Sequence, residues 1–404
     1  MKTNNFYNME SLVKLFIVGV CLLVITGCSS NPERHILPIE LTSQAVIPGV
    51  PEARFWGDEW PKFSQDRLSS ITEEELLRDM GAIYKTSHHY LAISGGGANG
   101  AFGAGLLAGW TASGTRPEFT MVTGVSTGAL TAPFAFLGAD YDDELKKVFT
   151  TTTTKDIAIE RSLIGTLLGD SLADTTPLKN LIKRYITPEI IDEIGKEFKR
   201  GRRLFIGTVN LDAGRSVIWN IGAIAVSDYA EKYSLIREIM RASAAIPVAF
   251  PPVMIPVEVN GKRYDEMHVD GGTGSQVFVY PSAIDWHVIT EKLKVVGDPE
   301  VYIIRNAFLE PDYNGVLRNL MPIAGRSIDS LIRTQGIGDL YQIYALCKRD
   351  GNDFNLAHIP ADFTEEPTEG FDPVYMTKLY ERGYKMAVKD YPWGKTPPGF
   401  DLKD

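Results

Sequence analysis

The chain has 404 residues, 44% of them hydrophobic, and a formal net charge of −10. That balance argues against a nucleic-acid binder, which would carry a basic stripe. Three cysteines give no cluster for a structural zinc, and no polybasic patch offers itself to anionic lipid.

The first segment reads as an export signal. Lys2 and Lys14 precede the apolar stretch Leu15–Ile25, which is short for a membrane span and ends in Thr26-Gly27-Cys28. A basic start, an apolar middle and small residues at the break predict a secretory signal over residues 1–27. Ile25-Thr26-Gly27-Cys28 looks like a bacterial lipobox, in which the cysteine is acylated and becomes the new N-terminus. An uncleaved N-terminal anchor is the other reading. The protein is therefore expected to be exported and lipid-anchored at Cys28 to a bacterial membrane. Ser29 after it favours the outer membrane or periplasmic face over the inner membrane.

Residues 28–87 read as a tether and N-terminal extension, with prolines at 32, 38, 48 and 51 and one capped helix over Thr72–Met80. The core, expected over 88–310, opens with a short strand, Tyr90–Ile93, and a helix over Ala101–Trp110. A second strand (Phe119–Thr123) and another helix follow. Arg203–Val209 and Ser216–Trp219 make a strand pair around the turn Asp212-Ala213-Gly214. Leu178–Tyr185 and Leu235–Ala245 are helical in period, and Val301–Asn306 is a late strand. Residues 311–404, with helices over Ala324–Lys348 and Pro373–Val388 and a strand at Asn355–Ile359, are expected to pack on the core or extend it. The Thr150–Thr154 run reads as a loop or strand edge. Cys347 is expected to be a small buried hydrophobe. Strands alternating with helices predict an α/β sandwich with a mixed, largely parallel sheet.

Two glycine motifs punctuate the first two strands. Gly124-Val125-Ser126-Thr127-Gly128, between a strand and an Ala-rich helix, reads as a nucleophile elbow, with Gly124 and Gly128 leaving room for the tight turn. The serine sits at a helix N-terminus, which favours developing negative charge. Gly95-Gly96-Gly97-Ala98-Asn99-Gly100 follows the first strand. As Gly-x-Gly-x-x-Gly it matches a dinucleotide fingerprint, but the acidic residue that should end the next strand is replaced by the serine elbow. As an oxyanion hole, backbone N–H groups of Gly96 and Gly97 would face the developing charge.

Serine needs a base. His268 is one candidate, on the same strand face as Asp270. Asp270, in Val269-Asp270-Gly271-Gly272, is the stronger one, because Gly271 and Gly272 let its carboxylate project into a cleft.

The three motifs in this order, with Arg241-Ala242-Ser243-Ala244-Ala245-Ile246-Pro247 before the aspartate, resemble the patatin-like phospholipase family over roughly residues 90–285. The resemblance implies a three-layer α/β/α fold, a Ser126–Asp270 dyad without histidine, an oxyanion hole at Gly96 and Gly97, and no metal or other cofactor. It implies a lipid acyl hydrolase that cleaves carboxylic esters of phospholipids or lysophospholipids. A catalytically silent lipid-binding or envelope protein is the alternative, and a nucleotide-binding α/β protein a minor one. Two positions depart from the family pattern. Asn99 stands where Arg or Lys is usual. Thr273-Gly274-Ser275-Gln276 stands where an Asn often precedes a Pro.

Overall fold

The computed structural model describes residues 34–162, 169–311, 313 and 315–400. The signal segment and Cys28 lie outside the described residues. Nine strands form one mixed sheet among those described. They are β1 (Arg54–Trp56), β2 (His89–Ile93), β3 (Met121–Val125), β4 (Arg203–Asn210), β5 (Arg215–Asn220), β6 (Val253–Val259), β7 (Lys262–Asp270), β8 (Glu300–Phe308) and β9 (Asp353–Ile359). The order is β1-β5-β4-β3-β2-β8-β9, with β7 also pairing β4 and β6 pairing β7. The strands from β4 to β9 in that order are parallel; the others join antiparallel.

Helices α1 (Lys62–Ser70) and α2 (Glu73–Asp79) precede β2. On one face of the sheet pack α3 (Gly100–Ala112), α4 (Thr127–Leu137), α5 (Asp142–Thr151), α6 (Thr176–Tyr185), α7 (Pro188–Lys199), α8 (Ile221–Val226) and α9 (Lys232–Ser243). The other face carries α10 (Trp286–Leu293) and α11 (Leu320–Asp350), while α12 (Pro373–Ala387) returns to the first. The result is a three-layer α/β/α sandwich. Strand alternation builds it: Leu91 and Ile93 join the core on one face, Tyr90 and Ala92 the core on the other.

The C-terminal extension supplies both sheet and helix. β9 pairs parallel with β8, and α12 lies directly on α3. A Cβ at Gly105 of α3 would fall 1.9 Å from the Tyr380 carbonyl oxygen, so only a residue without a side chain permits that approach.

Two expectations need correcting. From Ile36 onward the chain belongs to the compact unit, and residues read as tether bury Ile47, Val50, Ala53 and Trp56 in the core. Prolines there mark short turns between buried anchors. Arg54 of β1 also forms a buried ion pair with Glu266 of β7. The Thr150–Thr154 run is neither loop nor strand: it ends α5 and begins a further helical turn, with Asp156 capping Thr153. Threonine side chains there bond back to carbonyls four residues earlier, which lets them sit in a helix despite their low propensity. Cys347 is buried as expected, its thiol pushed up to about 12 by burial.

Candidate active site

The sheet register brings Ser126 and Asp270 together. β3 runs along one edge of β4 until Val125 pairs with Gly207. β7 runs the opposite way along the same edge and stops where Asp270 pairs with Thr208, because β5 fills the other edge. Two strands thus approach head-on and end in adjacent register. The chain leaves β3 at Ser126 and β7 at Gly271. Close turning is needed at both ends: a Cβ at Gly128 would meet the Ile93 carbonyl at 2.2 Å, and one at Gly271 the Gly207 carbonyl at 2.4 Å.

Ser126 has φ 55° and ψ −123°, a conformation that a side chain rarely adopts and that stores about 1–3 kcal/mol. Its N–H donates to Ser243 Oγ at 3.0 Å, and Ser243 Oγ donates to the Gly207 carbonyl at 2.6 Å. The Asp270 N–H donates to the Ala245 carbonyl at 2.9 Å. The end of α9 therefore fixes both the serine and the aspartate. Ser126 is 9% exposed and Asp270 5%, so both members of the pair are buried. Burial pushes the Asp270 carboxyl up to about 6, against the opposing influence of the nearby Ser126 hydroxyl and of the Gly272 N–H. The Gly272 bond is 2.7 Å.

The glycine loop lies alongside. A Cβ at Gly95 would stand 3.1 Å from Ser126 Cβ and 3.7 Å from its Oγ. Gly96 has φ 158° and Gly97 φ 55°. The Gly95 N–H donates to the Gln276 carbonyl, whereas the N–H groups of Gly96 and Gly97 meet no protein acceptor among the described residues. Unpaired backbone donors are uncommon and mark a place for an external acceptor.

Asn306, at the end of β8 and fully buried, shapes this loop. Its Nδ2 donates to the Ser94 carbonyl at 3.0 Å and its Oδ1 accepts from the Gly103 N–H at 3.0 Å. Its N–H donates to Ser94 Oγ at 2.9 Å. Sequence reading ended the late strand at Asn306 without giving that residue a role. The Gln276 side chain donates to the Gly272 carbonyl at 2.8 Å, and its N–H donates to the buried Asp339 of α11 at 2.6 Å. Gln276 thus links the loop after Asp270, through its side-chain amide, to the glycine loop, through its backbone carbonyl.

The other sequence candidates separate from the pair. His268 is fully buried, within hydrogen-bond distance of Thr208 Oγ1 (2.9 Å) and Glu266 (3.2 Å), with burial pushing its imidazole down. It is a packed strand histidine. Asn99 precedes α3 and accepts from the Tyr375 hydroxyl of α12 at 2.7 Å, so the departure from a basic residue is matched by a partner in the C-terminal extension. Gly100 opens α3, where a Cβ would strike the Phe149 ring at 2.5 Å. At Gly124 a Cβ would fall similarly close, 2.4 Å from the Gly128 carbonyl oxygen. Among the described residues no three His, Cys, Asp or Glu side chains gather as a metal site.

Residues 91–281 match the family model described as patatin-like phospholipase. This stretch is a patatin-like phospholipase domain. It spans the glycine loop, the serine elbow and the aspartate, and it is by family a lipid acyl hydrolase. Among solved structures, VipD from Legionella pneumophila aligns over 76% of this chain and 67% of its own at 12% identity, with a TM-score of 0.35, a likeness too loose to bear on the fold. No curated protein matches the chain. The patatin-like domain ends at residue 281, yet Asn306 and Asp339, which hold its loops, lie beyond it.

Proposed function

We propose that this protein hydrolyses carboxylic esters of membrane lipids, phospholipids or lysophospholipids, with Ser126 as nucleophile and Asp270 as its base. The observation that carries this reading is the register along β4, where β3 ends beside Gly207 and β7 ends beside Thr208, so that Ser126 and the buried Asp270 leave their strands as neighbours. Ser126 Oγ attacks the ester carbonyl while Asp270 takes its proton. The N–H groups of Gly96 and Gly97 hold the oxyanion. Collapse expels the alcohol, which recovers the proton from Asp270. Water, deprotonated by Asp270, then attacks the acyl-serine; collapse releases the fatty acid and returns the proton from Asp270 to Ser126 Oγ.

Apolar surface around the site supports a lipid substrate. Leu172, Ile246 and Val248 are exposed, and Leu172 N–H donates to the Val248 carbonyl three residues from the Ala245 that holds Asp270. A second apolar surface lies on the first half of α11. Leu320, Ile323, Ile328 and Leu331 are exposed there, beside Arg318, Arg326 and Arg333 against a single acid, Asp329. A basic, apolar-faced helix suits a membrane surface. The lipobox-like Cys28 supplies the matching anchor, placing the enzyme on a bacterial membrane after export.

The test is labelling with a fluorophosphonate probe, followed by a lipid-class panel. Labelling of the wild type that vanishes in Ser126→Ala, with release of fatty acid from phospholipid or lysophospholipid vesicles, is expected. A folded wild type that takes no label would sink the hydrolase reading and favour a silent lipid-binding protein.

A further inference from the structure

A separate cavity lies at the other end of the parallel strands. Its volume is about 620 Å³, within the range of about 300–1,000 Å³ usual for ligand pockets. Phe63 and Leu68 of α1, Met121 at the start of β3, Phe205 of β4 and Trp286 of α10 form its walls. Ser126 follows the opposite end of β3, so a strand of five residues, roughly 16 Å of rise, separates the two. Protein interiors leave few voids larger than a water molecule.

One cation in this cavity is placed for the polar end of a ligand. Arg203, the first residue of β4, lines the wall with its guanidinium 4.3 Å from the Phe198 ring centre. Its Nη1 donates to the carbonyls of Arg202 (3.0 Å) and Phe198 (3.3 Å). Nε and Nη2 meet no protein acceptor among the described residues, and no carboxylate forms an ion pair with it. Glu52 lines the same cavity without a salt bridge but acts on Arg203 through space, while Arg67 and Arg78 there both bond Asp79 and Lys199 is a further cation of the lining. Burial lowers the Arg203 guanidinium only to about 10, which leaves it charged at neutral pH.

We propose that this cavity binds a single-chain anionic amphiphile, its acyl chain along the apolar walls and its carboxylate or phosphate on Arg203. The free Nε and Nη2 edge matches an oxyanion in bidentate fashion. A long-chain fatty acid and a lysophosphatidic acid share this chemistry. The site stands apart from Ser126 and does not require that the protein be a hydrolase.

The experiment uses the full chain carrying Ser126→Ala, so that no lipid is turned over. Dibrominated stearate is titrated while tryptophan emission is read. Saturable quenching is expected, reduced when Trp286→Phe is added. Arg203→Gln weakens binding about tenfold or more, the loss of a charge-assisted contact, and Arg203→Lys recovers part of it. Octadecanol competes poorly against the parent but as well as stearate against Arg203→Gln. Lysophosphatidic acid of equal chain length displaces the probe better than stearate if phosphate is the natural headgroup, and worse if carboxylate is. Thermal melts confirm that each variant is folded. Absence of saturable quenching, quenching undiminished by Trp286→Phe, or affinity indifferent to Arg203→Gln overturns the proposal.

Discussion

Ser243 holds Ser126 in place: its hydroxyl accepts the Ser126 N–H at 3.0 Å and donates to the Gly207 carbonyl at 2.6 Å. One buried side chain therefore ties the strained elbow to β4, the strand that also carries Asp270 through β7. Ser243→Ala leaves a buried N–H and a buried carbonyl without this partner, at about 1–3 kcal/mol. The variant should melt at a lower denaturant concentration and lose kcat on a short-chain ester. Wild-type kcat in Ser243→Ala would show that the elbow keeps its geometry unaided.

Asn306 acts in the same way on the glycine loop, through Ser94 and Gly103. In Asn306→Ala the loop loses its clamp while the N–H groups of Gly96 and Gly97 remain. We expect kcat to fall about 10–100-fold, less than the roughly 100–1,000-fold for deleting an oxyanion donor outright, with KM nearly unchanged. A large rise in KM at constant kcat would point to substrate binding instead.

The motifs that carry the chemistry were legible because each is local. Gly95–Gly100, Gly124–Gly128 and Asp270–Gly272 each break a strand within six residues, and apolar runs such as Leu91–Ile93 mark the strands they end. Ser243 and Asn306 were not legible as parts of the site. Their partners lie 117 and 212 residues away along the chain, and nothing in a single sequence encodes that pairing. The serine stands in a stretch whose resemblance to the family was evident, but its role needed the register of β3, β4 and β7. The same holds for Arg54. Local proline content suggested a tether, whereas the arginine is set by a carboxylate 212 positions on.

That pair gives a second stability prediction. Burial alone would raise the Glu266 carboxyl, yet His268 and Arg54 hold it down to about 2. Arg54→Ala leaves Glu266 buried and half-paired, a loss of about 3–5 kcal/mol. Arg54→Met with Glu266→Leu replaces the pair by apolar volume and should recover most of it. Urea unfolding of the three proteins decides. Equal midpoints for wild type and Arg54→Ala would mean that the ion pair contributes nothing net.

The exposed apolar residues of α11 predict a membrane effect separable from chemistry. Leu320→Asp with Leu331→Asp should weaken binding to anionic vesicles, read by sedimentation, about a hundredfold or more, since each buried apolar side chain adds about 1.5–3 kcal/mol. Hydrolysis of a soluble short-chain ester should stay at the wild-type rate. Unchanged vesicle binding would remove α11 from the membrane contact and leave it to the rim at Ile246 and Val248.

Asp270 links activity and stability through pH. Its carboxyl titrates at about 6 in the folded protein and near 3.9 in an unfolded chain. Between those values the folded state keeps a proton that the unfolded state has lost. Stability from this group is therefore complete below about pH 4 and falls as pH rises, by up to roughly 3 kcal/mol once pH passes 6. The base works only when ionised, so kcat/KM should climb with pH through about 6 and then level off. The enzyme thus becomes competent over the range in which this site destabilises it. Asp270→Asn removes the charge and keeps the volume. It should be inactive, more stable than wild type at pH 8, and no more stable at pH 4. Denaturant unfolding at the two pH values tests this. A stability difference that does not change with pH would mean that folding leaves the Asp270 carboxyl at its unfolded pKa, and the rate profile would then be flat down to pH 5.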